Sequence, residues 1–286
     1  MNSASCVWIV IPTFNRAKTL SECIGTLLAQ SYSNIKIVVV DDASTDNTAK
    51  VIHDNYKDVT RLSGDGNRWW SGCMNIGLSH VMANCQANDY FMSFNDDVLV
   101  DQEYVTNLVA AANSLQQKFM LGSLAVDSEN NDKIVFCGNR IDWSKGVWKG
   151  KPCAGLNDEP LLDTDSLPGR GVLAPVSLIS EIGFYDDRRF PQYFGDEDFS
   201  LRAKKAGYSL FVCANARVKS HVKMTGSGRH APRLKEFLSS LVSIRSPNQL
   251  SRRLIFIFRH CPQRFLIQFS IIDALKVVTA YFRMKK

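Results

Sequence analysis

A chain of 286 residues, 45% hydrophobic and 22% charged, has enough apolar material for one large folded domain with an appendage, which excludes a largely disordered protein. Its net charge of +6 is unevenly placed: from Arg229 onward twelve basic residues stand against two acidic ones, a net +10, leaving −4 on residues 1–228. The eight cysteines form no CxxC pair and several sit in apolar runs, so buried reduced thiols are expected, not a disulfide framework or a zinc site.

Val7-Trp8-Ile9-Val10-Ile11 is a short apolar run stopped by Pro12, which predicts a buried strand. It is too short for the apolar core of a signal peptide and has no basic flank, so a cytoplasmic protein is expected. Over residues 17–30, Leu20, Cys23, Ile24, Leu27 and Leu28 recur at helical spacing. Residues 35–40 repeat the strand signal and run into Asp41-Asp42-Ala43-Ser44-Thr45-Asp46, a loop entering a helix through Val51 and Ile52 with Ser44 or Thr45 as N-cap. Two successive β-loop-α units imply a parallel sheet whose post-strand loops gather at one edge, where open α/β sheets bind ligands. A helix over 75–82, a strand over 90–94 and a helix over 104–115 continue the pattern. Beyond Phe119 the runs shorten, over 121–126 and 133–137, with Trp143 and Trp148 amid Gly and Lys, which predicts antiparallel hairpins in an acceptor-facing half.

Asn95-Asp96-Asp97 follows the apolar run Tyr90-Phe91-Met92, so two carboxylates are expected at the carboxyl end of a buried strand. Charge there is costly unless compensated, and a divalent cation carried on phosphate oxygens compensates it. Alone, the segment reads as a polar turn before the next helix. Asp41-Asp42 and Asp196-Glu197-Asp198, expected at the same edge, favour a nucleotide-plus-metal site. Gly64-Asp65-Gly66 lacks a third glycine and GxxxxGK[ST] is absent, so the phosphates must be held by metal and basic side chains.

Four ordered segments, Ile9-Val10-Ile11-Pro12-Thr13-Phe14-Asn15-Arg16, Val38-Val39-Val40-Asp41-Asp42-Ala43-Ser44-Thr45-Asp46, Asn95-Asp96-Asp97 and Tyr193-Phe194-Gly195-Asp196-Glu197-Asp198-Phe199-Ser200-Leu201-Arg202, resemble the motifs of family 2 glycosyltransferases. The segment from Gly64 to Gly77, with Trp69 and Trp70, resembles a bacterial branch close to rhamnosyltransferases that builds O-antigen, capsule and exopolysaccharide. The resemblance implies a GT-A fold, an α/β domain with a mainly parallel central sheet and helices on both faces, and inverting transfer from a nucleoside-diphosphate sugar such as dTDP-rhamnose or UDP-hexose. It implies that Pro12, Thr13, Asn15, Asp41, Asp42, Asn75, Asn95 and Asp96 serve nucleotide-sugar binding. By the same resemblance Asp97 and His221 are ligands for Mg²⁺ or Mn²⁺, and Asp196 is the base that takes the acceptor hydroxyl's proton. Trp69, Trp70, Arg170, Glu197 and Asp198 are candidates for sugar or acceptor contacts.

Two positions depart from the family pattern: Gly195 where relatives often carry an acid, and Asn95 where the first acid of a DxD motif is often found. They motivate an alternative, a weakened nucleotide-sugar or glycan-binding module; a metal-dependent nucleotidyltransferase is a further one. Residues 1–228 are expected to form the catalytic domain, divided near 118 into donor and acceptor halves, and 229–286 a basic helical extension. Its apolar runs, 254–258 and 265–281, are interrupted by Arg259, Gln268, Asp273 and Lys276, which predicts amphipathic helices on an anionic inner-membrane surface, not spanning ones. Such a surface suits a polyprenyl-diphosphate-linked acceptor. The alternative is packing on the catalytic domain or a dimer partner, and no nucleic-acid motif accompanies the charge.

Overall fold

The computed structural model describes residues 4–153, 159–220 and 233–283. The half expected to bind the donor contains β1 (Val7–Thr13), α1 (Ala17–Leu28), β2 (Ile35–Asp41), α2 (Thr48–Asn55), β3 (Thr60–Ser63), α3 (Trp69–Asn84), β4 (Tyr90–Ser93), β5 (Val98–Val100) and α4 (Tyr104–Ser114). The half expected to bind the acceptor, called the acceptor half for that expectation, contains β6 (Phe119–Asp127), β7 (Asn130–Phe136), β8 (Asn139–Asp142), β9 (Val147–Gly150), β10 (Leu161–Asp163), β11 (Val172–Pro175), α5 (Ser177–Ile182), α6 (Gly195–Lys205) and β12 (Ser209–Ser220). Three helices follow: α7 (Leu234–Ser240), α8 (Leu250–His260) and α9 (Leu266–Arg283).

The main sheet runs β10-β12-β6-β11-β4-β1-β2-β3. Strands β4, β1, β2 and β3 are mutually parallel, as the alternating pattern predicts, and every residue of β1 is buried. At roughly 1.5–3 kcal/mol for each fully buried large aliphatic side chain, this strand is a main anchor of the core. The acceptor half is mixed: β11 is antiparallel to β4 and β6, while β12 returns parallel to β6. The expected hairpins are present as β6–β7 and, in a separate small sheet, β8–β9.

Three expectations are corrected. Helix α3 begins at Trp69, not Asn75, because Asp42 accepts the backbone N–H groups of Arg68 and Trp69, a distant cap that local periodicity does not reveal. The α2 N-cap is Asn47, with Asp46 accepting the Thr48 N–H at 2.9 Å, not Ser44 or Thr45. Cys137 and Cys153 are joined as a disulfide that ties the end of β7 to the chain beyond β9; the other six cysteines are free thiols, as expected.

The extension covers the acceptor half. From α8, Phe256 stacks on Trp148 at 4.7 Å between ring centres, and Phe190 and Phe194 complete this small core. Helix α9 turns Phe269, Asp273, Val277 and Tyr281 inward, with Arg253 paired to Asp273 (Nε–Oδ2 2.7 Å). Its opposite side exposes Ile267, Ile271, Leu275, Val278 and Phe282. The stretch Gln263–Phe282, 20 residues, is long and apolar enough to cross a membrane, which corrects the expectation that nothing here reaches that threshold.

Candidate active site

The loops after β1, β2 and β4 converge at one edge of the sheet and are bound to one another by their polar side chains. Thr13 donates its hydroxyl to Asp96 (2.8 Å). Asn15, at φ +53°, accepts the N–H of Thr45 at 2.7 Å, and its own N–H reaches the Ser44 hydroxyl, so the first loop clasps the second. Pro12 lies within β1, opposite Val40.

Asp41 is wholly buried, paired with Arg61 (Nη2–Oδ2 2.8 Å) and accepting the Ser44 N–H. Asp42 accepts backbone N–H groups from Gly66, Arg68 and Trp69. These bonds hold the loop that starts α3. The Asn75 amide exchanges two 2.9 Å bonds with the backbone of Tyr185 and braces α3 against the approach to α6.

Asp96 and Asp97 share one counter-charge. Arg16 Nη1 lies 3.0 Å from an oxygen of each, a pairing for which Arg16 had no assigned role although it stands inside the first motif. Burial pushes the Asp96 carboxyl up to about 6, against the opposing charge of Arg16 and the Thr13 hydrogen bond. Two adjacent carboxylates with one monovalent partner fit a divalent cation brought in by a diphosphate, which needs only one or two protein carboxylates. His221, the other expected metal ligand, lies outside the described residues, among which no group of three His, Cys, Asp or Glu forms a ready-made metal cage. Asn95 accepts a 3.0 Å bond from Trp70 Nε1, so an amide fixes the indole here without adding a third charge beside the two acids.

Asp196 sits in the first turn of α6, where the unpaired N–H groups of a helix start favour a carboxylate. Its Oδ2 accepts the Gly169 N–H at 2.7 Å, and Oδ1 accepts the N–H of Glu197 at 3.0 Å. A cavity of about 260 Å³ opens beside it, walled by Trp70, Asn95, Gln192, Tyr193 and Glu197. Trp70 closes so tightly on Gly169 that a Cβ there would lie 2.2 Å from the indole. Gly195 has an equally physical cause: a Cβ would meet the Ser71 hydroxyl at 2.3 Å, so α3 occupies the space an acidic side chain would need.

The remaining candidates divide. Glu197 lines the cavity, and burial together with the Asp196 charge raises its carboxyl well above the ordinary range. Arg170 lies over the Phe136 ring (5.6 Å) and donates to the Ser220 hydroxyl; Asp196, Asp97 and Glu197 are the acids whose charge reaches it. Trp69 donates from its indole to Asn67 and carries Arg245 over its ring at 5.5 Å. Asp198 is fully buried, held by Arg202 (2.9 Å), His260 (2.8 Å) and Arg259 (3.2 Å). It locks α6 to α8. Gln192 and Pro247 also wall the cavity without any sequence signal, because each arrives there only through tertiary folding, and Tyr193, the first residue of the fourth motif, joins them.

The family model for glycosyl transferase family 2 matches residues 8–155. An uncharacterized glycosyltransferase of Rickettsia typhi is 28% identical over 225 residues, covering 76% of this chain and 64% of that protein. The GalNAc(5)-diNAcBac-PP-undecaprenol beta-1,3-glucosyltransferase of Campylobacter jejuni is 25% identical over 228 residues, covering 71% of this chain and 70% of its own. Among solved structures, a mannosyltransferase of Pyrobaculum calidifontis in complex with GDP-Man and Mn²⁺ superposes with a TM-score of 0.58 at 15% identity, over 98% of this chain and 75% of that one. GalNAc-T7 with UDP, GalNAc and Mn²⁺ gives 0.66 at 17% identity, over 87% of this chain and 48% of that one. These two likenesses carry the fold, the GT-A arrangement.

Proposed function

Since the chain belongs to glycosyl transferase family 2, we propose that it transfers a sugar, with inversion, from a nucleoside-diphosphate donor to a saccharide acceptor. The observation that carries this reading is Asp196, presented on a helix start in a cavity also lined by Asn95, which directly precedes Asp96 and Asp97. Inversion is a single in-line displacement, so the proton acceptor and the leaving diphosphate need separate positions on opposite faces of the sugar.

In this mechanism Thr13, Asn15 and the Asp41–Arg61 pair frame the nucleotide, while Trp70 and Asn95 border the donor sugar. Asp97, with Asp96 beside it, holds Mg²⁺ or Mn²⁺; a bound divalent ion offsets the charge gathering on the departing diphosphate. Asp196, oriented by the Gly169 N–H, receives the proton of the attacking hydroxyl. The donor we favour is dTDP-rhamnose, with UDP-hexose second. The acceptor we favour is a polyprenyl-diphosphate-linked glycan of bacterial surface polysaccharide such as O-antigen or capsule. The name of the Campylobacter relative specifies a PP-undecaprenol substrate, and that supports the lipid-linked class. The exposed apolar side of α9, set within a basic extension, supports attachment at the inner face of the cytoplasmic membrane.

The test is a donor screen on a lipid-diphosphate acceptor with identification of the released nucleotide. Transfer with release of a nucleoside diphosphate is expected, and Asp196→Asn should lower turnover by ~10²–10⁴-fold while nucleotide binding persists. Turnover that survives this substitution removes Asp196 as base; pyrophosphate release points to nucleotidyl transfer, and binding without transfer to a binding module.

A further inference from the structure

A second cavity, about 330 Å³, adjoins the first through the shared walls Phe194, Glu197 and Pro247. No residue of the 95–97 loop lines it; its other walls come from the β8–β9 hairpin and from α8 and α9. We infer that this cavity binds a pyranose unit of the acceptor glycan next to the sugar that attacks, so that the C-terminal helices form part of the acceptor site. The inference rests on the transferase reading above, because it takes the hydroxyl at Asp196 as the fixed end of the acceptor.

The chemistry of the walls selects the ligand. Trp148, Phe194 and Phe269 line the cavity, and aromatic surface suits the C–H faces of a sugar. Lys149 offers donors and Glu197 acceptor capacity, so hydroxyl groups, which both donate and accept, find partners of either kind. Arg253 and Asp273 largely neutralise each other, and Lys276 is tied to the Gly146 carbonyl. With Lys149, Arg253 and Lys276 set against Glu197 and Asp273, the lining keeps a small positive excess, and its aromatic share is what favours a saccharide over a second diphosphate. The volume lies at the small end of ordinary ligand cavities, roughly 300–1,000 Å³, and fits a single ring. Position agrees: Glu197 lines both cavities and follows Asp196 in sequence, while no residue of the 95–97 loop lines this one, so a glycan held here lies next to the base.

The experiment uses the full chain and two probes, the methyl glycosides of a hexose disaccharide and of an N-acetylhexosamine disaccharide, observed by saturation-transfer NMR in the presence of a nucleoside diphosphate. Wild type is expected to bind at least one, with both rings receiving magnetisation. Lys149→Ala and Lys276→Ala should each weaken that binding by about ten-fold, with thermal unfolding showing that the fold is kept. The inference is overturned if wild type binds neither disaccharide, or if both folded variants bind as tightly as wild type. Titration with nucleotide sugars on the same samples separates the two ideas: donor binding without disaccharide binding overturns the cavity assignment alone, and absence of donor binding overturns the transferase reading.

Discussion

Arg16 stands where the charge of Asp96 and Asp97 must be offset, with one guanidinium nitrogen against both carboxylates. Arg16→Ala should therefore lower stability in chelator by about 1 kcal/mol, a modest value because the arginine is 43% exposed and solvent screens the pair. Adding Mn²⁺ with a nucleoside diphosphate should recover most of the loss, and thermal melts with and without the two ligands check this. Gly195 yields a second test. Gly195→Glu, which supplies the acid relatives carry, drives a side chain into Ser71 and should cost about 1–3 kcal/mol by urea unfolding, with Ser71→Gly relieving part of it. At this scale the residue types of the candidate site were legible: Asp196, Asp96, Asp97 and Trp70 lie in short contiguous segments. The partners of Asp42, Asn75 and Asp198 were not, because an acid or amide in a loop motif looks the same whether it faces a ligand or a protein group distant in sequence.

Among elements, the junction of α6 and α8 links the base to the extension. His260 Nε2 donates to the ionised Asp198, and its Nδ1 is buried without a partner. Burial lowers its proton affinity below the ordinary 6.5, with the Asp198 hydrogen bond and charge opposing. The unfolded chain then takes up a proton near pH 6.5 that the folded chain resists, so this contribution is complete above that pH and is lost as pH falls. Asp96 and Glu197, raised by burial, act with the opposite sign, so the measurement is the difference between wild type and His260→Gln. Wild type should lose up to ~1.4 kcal/mol per pH unit relative to the variant below pH 6.5, read by denaturant unfolding at several pH values. Asp198→Asn removes the charge from between two arginines and His260 and should cost roughly 3–5 kcal/mol. The parallel strands β1, β2 and β4 were readable from periodicity, while the short, half-buried β3 left no such run. The insertion of β11 between β4 and β6 was not, because strand order in a mixed sheet depends on pairing across many residues, and a short apolar run carries no direction.

At the scale of the molecule, α9 presents two unlike sides. Phe269, Val277 and Tyr281 are buried against the protein along its length and Asp273 is paired with Arg253, so crossing a bilayer would require tearing this side away. Lying flat requires nothing of the kind. We expect the full chain to sediment with vesicles containing anionic lipid and to be released by added salt, and Ile271→Glu with Leu275→Glu to abolish the association without unfolding the protein. The charge division near residue 228 set the C-terminal stretch apart, but composition could not show that its helices close on Asp198, Trp148 and the second cavity.

The grip of Arg259 and His260 on Asp198 also bears on how this protein is made. A ribosome delivers α6 some sixty residues before two of the three side chains that hold its buried acid, so Asp198 emerges with Arg202 alone and its setting stays unfinished until the last helices arrive. Expression vectors ended at residue 228 should accordingly yield inclusion bodies, and those ended after His260 a soluble protein.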